Sequence, residues 1–363
     1  MCLLEGCGNL EARDSRLKEA GSTVRPMLRA GVIGLGVGER HISGYQVDPR
    51  CQVIALCDIN EEKLLEVGGR HPGTALTTSP VEILENPEID IVSIASYDDA
   101  HRDQIIRALE HGKHVFVEKP LCLTRPEFED IKAVLARRPD LQLSSNLILR
   151  RAPRFIELQR RIQAGDLGQI YYMEGDYDYG RLHKLTDGWR GRIKDYSVVH
   201  GGAIHLIDLL LWLTGEKVCE IFAYGNGVST QGSQFDGNDM VVALLKFTNG
   251  MVAKISANFA SVAPHHHRVC VYGTEGSFTQ SHVGAAYYWS RDPEASPELV
   301  QDPYPGAAKG DMLPTFVQSI LEGTQAEVSA VEVFEAMNVS LAIVESLASG
   351  SPVKITNLEY EPV

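Results

Sequence analysis

The sequence predicts an α/β protein built from two domains, and four observations support this prediction. The first half of the 363-residue chain alternates short apolar runs with stretches of helical periodicity. The second half contains several strand-like runs in succession after one strongly apolar helix. A cluster of glycines separates the first apolar run from the first helix, which is typical of the tight turn after a buried parallel strand. The chain also exceeds the usual length of one domain.

In the first half, apolar strands that alternate with helices indicate a parallel sheet covered by helices on both faces. The predicted strands are 28–35, 52–58, 89–95, 114–118 and 142–146. The predicted helices are 40–47, 61–67, 100–111 and 126–136. Ligands of such sheets bind beyond the carboxyl ends of the strands. We therefore expect residues 28–147 to form a domain with its binding site at that edge.

After Asn146 the pattern indicates a second α/β domain, residues 148–363, with a large, mostly antiparallel open sheet and helices on one side. The predicted helices are 153–164, 203–213, 312–321 and 331–349, and the last of them are candidates for packing back on the first domain. The predicted strands are 170–178, 218–224, 240–247, 251–259 and 268–272. Asn249-Gly250 is typical of a hairpin turn, and the Pro-, Asp- and Gly-rich stretch 291–310 is predicted to be a surface loop.

Composition and charge exclude several classes of protein. Hydrophobic residues make up 44% of the chain, enough for substantial cores. A formal charge of −14 argues against a nucleic-acid partner, which requires clustered Lys and Arg. No apolar run is long enough to span a membrane, and residues 1–27 are expected to be a flexible extension, not a secretory signal. Because the seven cysteines form no CxxC pair, we expect a cytoplasmic, disulfide-free protein.

The glycine cluster is the first candidate binding element. Gly34, Gly36 and Gly38 follow the first strand, and Asp58 ends the next strand about 20 residues later. Such a turn directs backbone N–H groups toward a pyrophosphate, and the Asp58 carboxylate would bind a ribose diol and repel a 2′-phosphate. The usual GxGxxG pattern would place Gly or Ala at Glu39, so an ordinary strand-to-helix turn is the alternative. The pattern favours NAD over NADP as cofactor.

Glu118 and Lys119 follow an apolar strand at the sheet edge where a cofactor would bind. A desolvated lysine loses its proton readily, so Lys119 could polarise a hydroxyl or carry its proton. The alternative is a Lys119–Glu118 ion pair at a strand end, which is common and contributes little to stability. Local chemistry leaves both interpretations open.

His205 and Asp208 interrupt the otherwise apolar helix 203–213. A buried aspartate is costly unless it is paired, and a spacing of three residues places both side chains on one helix face. The carboxylate could then neighbour or orient the imidazole. A histidine satisfied inside the core is the alternative, but Asp208 and the preceding Gly201-Gly202 favour a functional histidine.

The irregular stretch after the strand 170–178 is a candidate substrate loop. Its aromatic and cationic residues are Tyr177, Tyr179, Arg181, His183, Lys184, Trp189 and Arg190. Aromatic faces pack on the C–H faces of sugars, and Arg and Lys bind hydroxyls or phosphates. A solvated or subunit-facing loop would have a similar composition.

The run His265-His266-His267 suggests a metal site, but the pattern around it does not. Adjacent residues on a strand alternate between faces, so at most two of the three could share a metal. No acid or thiol cluster accompanies them in the sequence. We therefore predict no metal site.

In their order along the chain, these motifs resemble those of the glucose–fructose oxidoreductase/inositol dehydrogenase/MocA family. The matching segments are the glycine turn with His41, Asp58, residues 96–101, the string HGKHVFVEKPL at 111–121, Asn146, Arg150, residues 201–208 and YGTEG at 272–276. The string that contains Lys119 is the most specific of them. The resemblance covers most of the chain after residue 28.

The resemblance implies a fold and an activity. It implies a Rossmann dinucleotide-binding domain followed by an α/β domain whose open sheet joins a homodimer or homotetramer. It implies NAD(P)-linked oxidation or reduction of a secondary alcohol of a sugar, cyclitol or nucleotide-sugar. In this scheme Lys119 binds the reacting hydroxyl, His205 acts as acid and base, and Glu118 and Pro120 position the lysine, with the Lys119–Pro120 peptide often cis.

The site residues follow from the motifs and the resemblance together. The predicted cofactor-binding residues are Gly34, Gly36, Val37, Gly38, His41, Asp58, Ser96, His101, Glu118, Lys119 and Asn146. The predicted substrate-binding residues are Lys119, Arg150, Tyr177, Tyr179, His183, Trp189, Arg190 and Asp208. The substrate itself is expected to be a small, sugar-like molecule.

One position departs from the family pattern. Many dehydrogenases of this family carry an Asp four residues before the histidine, where this chain has Gly201. The candidate replacements are Tyr177, Tyr179 and His183. Two alternative functions therefore stay open beside a dehydrogenase: an NAD-using glycosidase or lyase, and a non-catalytic regulator that senses a sugar or NAD.

Overall fold

The computed structural model of the protein describes residues 27–356, which form one sheet in each of two domains. The predicted extension 1–27 lies outside the described residues except for Met27. No helix between residues 27 and 356 is both long and apolar enough to cross a membrane.

The first domain alternates strands with helices, as predicted. Its strands are β1 (Leu28–Ile33), β2 (Cys51–Cys57), β3 (Ala75–Thr77), β4 (Ile91–Ile94), β5 (His114–Val117) and β6 (Leu143–Ser145). Its helices are α1 (Glu39–Tyr45), α2 (Glu61–Arg70), α3 (Pro80–Leu84), α4 (His101–Glu110) and α5 (Arg125–Ala136). All six strands are parallel, in the order β3-β2-β1-β4-β5-β6. The strand order therefore reverses between β1 and β4, where such sheets bind ligands.

The second domain has a nine-stranded mixed sheet. Its helices are α6 (Pro153–Gln163), α7 (His183–Thr186), α8 (Ile204–Thr214), α9 (Leu313–Glu322) and α10 (Ala330–Ser349). Its strands are β7 (Ile170–Asp178), β8 (Val218–Asn226), β9 (Met240–Phe247), β10 (Val252–Asn258), β11 (His266–Gly273), β12 (Ser277–Ser281), β13 (Gly284–Tyr288), β14 (Glu298–Leu299) and β15 (Val353–Lys354). Their order is β14-β13-β12-β11-β7-β10-β9-β8-β15.

Pairing in this sheet is antiparallel except between β7 and β10, which are parallel neighbours. The predicted hairpin between β9 and β10 is confirmed, since these strands pair antiparallel and Gly250 has a φ of 90°. A left-handed φ of this kind favours glycine, as the Asn-Gly signal requires. The mostly antiparallel open sheet predicted from the sequence is thereby confirmed.

The last two helices connect the domains. α9 packs against α1, and α10 packs against α5, β6 and β8. Arg125 of α5 donates hydrogen bonds to Asn338 and Glu345 of α10 at 2.6 and 2.9 Å, and Phe128 meets Phe334 edge to face. The two domains therefore share buried contacts beside the carboxyl edge of the parallel sheet.

Candidate active site

A cavity of about 900 Å³ lies at the carboxyl ends of β1, β2, β4 and β5, between the first domain and the loops of the second. Predicted residues that line it are Gly34, Gly36, Val37, Asp58, Ser96, Glu118, Lys119, Tyr177, Tyr179, Trp189, Arg190 and His205. The structure thus brings together the glycine turn, the acid after β2, the lysine after β5 and the histidine of α8. These groups come from separate segments of the chain, and they face one space.

In the glycine turn after β1, two of the glycines leave no room for a Cβ atom and the third does. Gly34 has a φ of 84°, and a Cβ there would overlap the backbone of Ala95; a Cβ at Gly38 would overlap the carbonyl of Gly34. A Cβ at Gly36, in contrast, would meet no atom within 4 Å, and Gly36 lines the cavity. The backbone at Gly36 is therefore open to close approach by a ligand.

Asp58 is held rigidly at the end of β2. Its two carboxylate oxygens accept hydrogen bonds from the backbone N–H groups of Leu35 and Asn60, each at 2.8 Å. Glu39, which departs from the usual glycine pattern, pairs with Arg70 at 2.5 Å and with Lys63 at 3.5 Å. Its charge is therefore compensated inside the protein.

These residues fit a dinucleotide cofactor such as NAD. The open backbone at Gly36 suits a pyrophosphate, and the fixed carboxylate of Asp58 suits a ribose diol. Apolar side chains of Val37 and Ile59, both well exposed, line the adjoining wall and suit the face of an adenine ring.

Lys119 lies where β5 meets the second domain. Its Nζ donates a hydrogen bond to the carbonyl of Gly201 at 2.9 Å, and the Lys119–Pro120 peptide is cis. Burial lowers the pKa of Lys119 to about 8, and the charges of Lys309 and Arg190 act in the same direction. The predicted alternative, a direct ion pair with Glu118, does not form among the described residues, since no Lys119–Glu118 contact lies within 4.0 Å.

Glu118 lies at one end of a series of buried hydrogen bonds behind the cavity. Its Oε1 accepts a hydrogen bond from Nδ2 of Asn146 at 2.7 Å and lies 3.3 Å from Nε2 of His41. The other ring nitrogen of His41 contacts the hydroxyl of Ser93 at 3.1 Å, which also contacts the phenol of Tyr45. His41 and Asn146 are fully buried and do not line the cavity. They hold Glu118 in place from behind.

The carboxyl group of Glu118 is ionised at neutral pH. Burial opposes its ionisation, but the positive charge of Lys309 and the hydrogen bond with His41 outweigh burial and hold its pKa well below the usual value. Glu118 is therefore a fixed negative charge next to Lys119, and it helps to keep an ammonium group in the cavity wall.

His205 faces the cavity as a neutral imidazole. Its side chain is 5% exposed, and its Nδ1 has no hydrogen-bond partner among residues 27–356. Burial lowers the pKa of His205 well below 6.5, and the charges of Lys119 and Lys309 lower it further. A neutral imidazole can accept a hydrogen bond from a substrate hydroxyl.

The structure corrects the role predicted for Asp208. Its carboxylate is bound by Arg150, with Nη2 at 2.5 Å and Nε at 3.0 Å, and Arg150 also donates to Glu332 at 2.5 Å. Both partners are almost fully buried, and neither lines the cavity. Asp208 does not orient His205, because a bidentate guanidinium occupies its oxygens. The pair joins α8 to α10 and to the turn Ile148–Arg151.

The space beside Gly201 is filled by a tyrosine that the sequence did not single out. A Cβ at Gly201 would overlap the hydroxyl of Tyr196, closer than 3.0 Å. That hydroxyl is buried and has no hydrogen-bond partner among the described residues. Of the three replacements expected from the sequence, Tyr177 and Tyr179 line the cavity elsewhere, and His183 is exposed outside it. Tyr196 lies in an irregular stretch, where no periodicity marks a residue as buried.

Asp98 is a second functional candidate that sequence reasoning missed, although it lies within the matching segment 96–101. It lines the cavity, and its Oδ2 is buried without a partner among the described residues. Burial raises the pKa of Asp98, while Lys119 and Arg190 oppose the rise. Its neighbour Ser96 also lines the cavity and donates to Gln104 at 2.8 Å.

His101 supports the turn that carries Lys119. One ring nitrogen contacts the carbonyl of Pro120 at 2.7 Å, and the other contacts the carbonyl of Ser96 at 3.3 Å. The ring is fully buried and does not line the cavity. Like His41 and Asn146, it lies behind the cavity wall.

Aromatic rings form the wall contributed by the second domain. Tyr179 packs against Tyr177, Phe259 and His265 with centroid separations of 5.5, 4.6 and 5.2 Å. Across the cleft, Trp189 packs on Tyr97 at 4.7 Å. Such rings offer faces for the C–H groups of a carbohydrate.

His265 and His267 belong to this wall. His267 contacts the Tyr304 hydroxyl through Nδ1 at 2.5 Å. Within the described part of the chain, no group of three or more His, Cys, Asp or Glu side chains is arranged to hold a metal ion.

The stretch 291–310, predicted to be a surface loop, returns to the site. Pro305, Ala307 and Lys309 line the cavity, and the carbonyl of Lys309 accepts a hydrogen bond from Asn146 at 2.9 Å. A composition rich in Pro, Asp and Gly indicates irregular backbone, but it does not determine where that backbone packs.

Two family models match the chain. The model described as an oxidoreductase family with an NAD-binding Rossmann fold matches residues 28–146, and the model of the GFO/IDH/MocA C-terminal domain matches residues 155–279. Together they cover most of the described chain.

The sequence identity between this chain and individual relatives is low. An uncharacterized oxidoreductase, YrbE, of Bacillus subtilis is 26% identical over 91% of this chain and 97% of its own length. A myo-inositol 2-dehydrogenase of Thermotoga maritima is 26% identical over 70% of this chain and 76% of its own length. Among solved structures, levoglucosan dehydrogenase in complex with NADH and levoglucosan has the same fold, with a TM-score of 0.80 at 21% identity over 91% of this chain and 100% of that one.

Proposed function

Because this chain belongs to the GFO/IDH/MocA family of oxidoreductases, whose first domain is an NAD-binding Rossmann fold, we propose that it is a dehydrogenase of sugars or cyclitols that uses NAD. One observation carries the proposal: Lys119 of the first domain and His205 of the second line the same cavity as the glycine turn and Asp58. The relatives named as dehydrogenases of inositol and levoglucosan support a polyhydroxylated substrate.

The first domain would hold the cofactor through its own backbone and one carboxylate. The turn at Gly34–Gly38 would take the pyrophosphate, and Asp58 would take the ribose diol and disfavour a 2′-phosphate. When bound, NAD would accept the hydride that leaves the carbon carrying the reacting hydroxyl. Val37 and Ile59 would shield the adenine from water.

Lys119 and His205 would act together on the reacting hydroxyl. The neutral imidazole of His205 accepts a hydrogen bond from a neighbouring hydroxyl of the substrate, which orients the reacting hydroxyl and its proton toward Lys119. Lys119, with a pKa lowered to about 8 by burial, can take up or release that proton near neutral pH. The carbonyl of Gly201 and the fixed charge of Glu118 keep the lysine aimed at the substrate. Tyr196 packs against Gly201, the position at which the resemblance to the family would place an Asp.

Replacement of the lysine tests this function. A Lys119→Ala variant should bind NADH as the wild type does but lose about 10²- to 10⁴-fold in turnover, the usual contribution of a positioned acid–base group. Binding is measured by NADH fluorescence, and turnover by NADH absorbance with a panel of inositols and monosaccharides. Lys194→Ala, at an exposed lysine outside the cavity, is the matched control.

Two results would contradict the proposal. Near-normal turnover of Lys119→Ala would remove the lysine from the reaction. Cleavage of a glycoside without net formation of NADH, detected by product analysis, would instead indicate an NAD-using glycosidase or lyase.

We also propose that the chain forms a homodimer or homotetramer through the outer face of its nine-stranded sheet. Helices α8 and α10 pack on the inner face, where alternate residues of β8, β9 and β10 are buried. The outer face presents Tyr224, Leu244 and Val252, which are 71, 52 and 41% exposed. An exposed apolar surface of this kind is typical of a protein interface.

A further inference from the structure

The second-domain side of the cavity carries more positive charge than the proposed chemistry requires. The chain has 48 acidic and 34 basic residues, yet Arg181, Lys184, Arg190 and Lys309 all line this cavity beside Lys119. Within residues 27–356, none of these four side chains donates a hydrogen bond or forms an ion pair with the protein. Arg181 is exposed, whereas Lys184, Arg190 and Lys309 are half-buried. Half-buried cations without a partner are costly unless a ligand neutralises them.

Arg181 and Lys309 form one group around His265. The guanidinium of Arg181 lies 5.0 Å over the ring of Tyr179, which packs 5.2 Å from the ring of His265. Burial lowers the pKa of His265 to about 4, and the charges of Arg181 and Lys309 both contribute. Lys309 also lowers the pKa of His205, and both residues line the same cavity, so the Lys309 ammonium lies near the proposed reacting position.

The position of Lys309 is built into the fold. Its carbonyl accepts the hydrogen bond from Asn146, and two residues on, the carboxylate of Asp311 accepts one from the N–H of Ala308 at 2.7 Å. Earlier in the same loop, Tyr304 is bound to His267. The loop is therefore anchored on both sides of the ammonium group it presents to the cavity.

The four acids that line the cavity are Asp58, Asp98, Asp99 and Glu118. Among residues 27–356 none of them forms an ion pair with these four cations, although the charge of Lys309 stabilises the ionised Glu118 from farther away. Burial raises the pKa of Asp98 and so opposes its negative charge. The cofactor does not account for them either, since its expected pyrophosphate position is the glycine turn of the first domain. Lys63 of the first domain also lines the cavity, but it pairs with Glu39 and Glu66.

Resting on the proposed dehydrogenase function, we propose that the substrate is an anionic carbohydrate, a sugar or cyclitol with a carboxylate or phosphate group bound between Arg181 and Lys309. Charge-assisted hydrogen bonds from these two side chains hold the anionic oxygens. The rings of Tyr177 and Tyr179 face the carbohydrate. The reacting hydroxyl lies toward Lys119 and His205, and the anionic group fixes which carbon is presented there.

Binding to the NADH-loaded protein tests this inference directly. The probes are glucose, glucuronate, glucose 6-phosphate, myo-inositol and an inositol monophosphate, titrated by calorimetry. A carboxylated or phosphorylated probe should bind at least about tenfold more tightly than its neutral counterpart, as expected for one charged hydrogen bond. The preference should shrink as salt rises from roughly 50 to 500 mM. The glucuronate and phosphate arms separate the two anion types.

Variants assign the preference to its residues. Lys309→Met and Arg181→Gln should each remove most of the preference for the anionic probe and leave the affinity for the neutral probe and for NADH unchanged. Lys194→Met and Arg192→Gln are the matched controls, since both residues are exposed and neither lines the cavity. These controls should retain the preference.

Three results would overturn the inference: equal binding of neutral and anionic probes, a preference that survives both variants, or a loss of NADH affinity in the variants, which would assign the cations to the cofactor. NADH formation with the same probes separates this inference from the proposed function. Oxidation of neutral sugars without an anionic preference refutes only the inference. Selective binding of anionic probes without oxidation of any of them refutes the dehydrogenase and leaves an anion-binding site.

Discussion

Burial and neighbouring charges together lower the pKa of three neighbouring side chains, and the result is a different charge state for each. Lys119 loses basicity, to a pKa of about 8, because its ammonium is desolvated. Desolvation also keeps His205 neutral, and two lysines near it reinforce this. Glu118 stays ionised despite burial, because Lys309 and His41 stabilise its charge. At neutral pH the site therefore contains one fixed anion, one neutral acceptor and one group able to exchange a proton.

The pH dependence of the reaction should follow the titration of Lys119. The neutral amine takes the proton during oxidation, so kcat/KM for oxidation should rise with pH and level off above about 8. The ammonium donates the proton during reduction, so kcat/KM for reduction should fall above the same pH. Profiles measured in both directions should be mirror images, and Lys119→Arg, which does not titrate in this range, should lose both limbs. Profiles that are flat from roughly pH 6 to 10 would assign the proton to another group.

The sequence predicted those site residues whose polarity differs from that of the surrounding segment. Lys119 and His205 were found because a charged or titratable group in an apolar run is costly without a task. Asp208 was found for the same reason, but its role was wrong, since its partner Arg150 comes from 58 positions away in the chain. Tyr196 and Lys309 lie in irregular stretches, where burial depends on tertiary packing and leaves no local signal.

At the scale of elements, long periodic segments were predicted closely and short ones were not. The predicted strands 170–178 and 240–247 coincide with β7 and β9. β3 has three residues and α3 has five, too few for a helical or strand period to be recognised. The hairpin of β12 and β13 was also missed. None of these three elements contributes a reacting group, so the site could be predicted without them.

The short π-helix Val199–Ala203, which precedes α8, should not tolerate a side chain at Gly201. A Cβ there would overlap the Tyr196 hydroxyl, so Gly201→Ala should cost about 1 to 3 kcal/mol of unfolding free energy through overpacking. Turnover should fall as well, because the Gly201 carbonyl accepts the Lys119 hydrogen bond. Thermal denaturation and NADH absorbance measure the two effects.

Gly69→Ala provides the comparison for this substitution. Gly69 lies in α2 with no atom within 4 Å of its added Cβ, so alanine should leave stability unchanged or raise it slightly. Equal melting temperatures for the two variants would show that the backbone at Gly201 yields without cost, and the close packing of Tyr196 would then carry no constraint.

At the scale of the whole molecule, the two domains have different relations to solvent. Helices cover both faces of the parallel sheet, whereas the helices of the second domain, as far as residues 27–356 show, pack on one face of its sheet. The outer face combines the apolar residues Tyr224, Leu244 and Val252 with an ion-pair cluster. That cluster joins Glu174, Asp176, Lys254 and Arg268 across β7, β10 and β11. An exposed apolar stripe beside charged groups matches the apolar core and polar rim of protein interfaces.

If subunits associate through this face, a single charged substitution in it should dissociate the oligomer. A standard interface buries about 800 Å² per partner, and Leu244, which pairs with Phe222 of β8 and Lys254 of β10, lies within the apolar stripe. Leu244→Glu would bury a carboxylate whose neighbour Lys254 is already paired with Glu174 and Asp176, and it should yield monomers in size-exclusion chromatography with light scattering. Leu65→Glu, at a leucine of α2 that is 60% exposed, should keep the wild-type mass. A monomeric wild type, or a Leu244→Glu variant of unchanged mass, would show that this face does not join subunits.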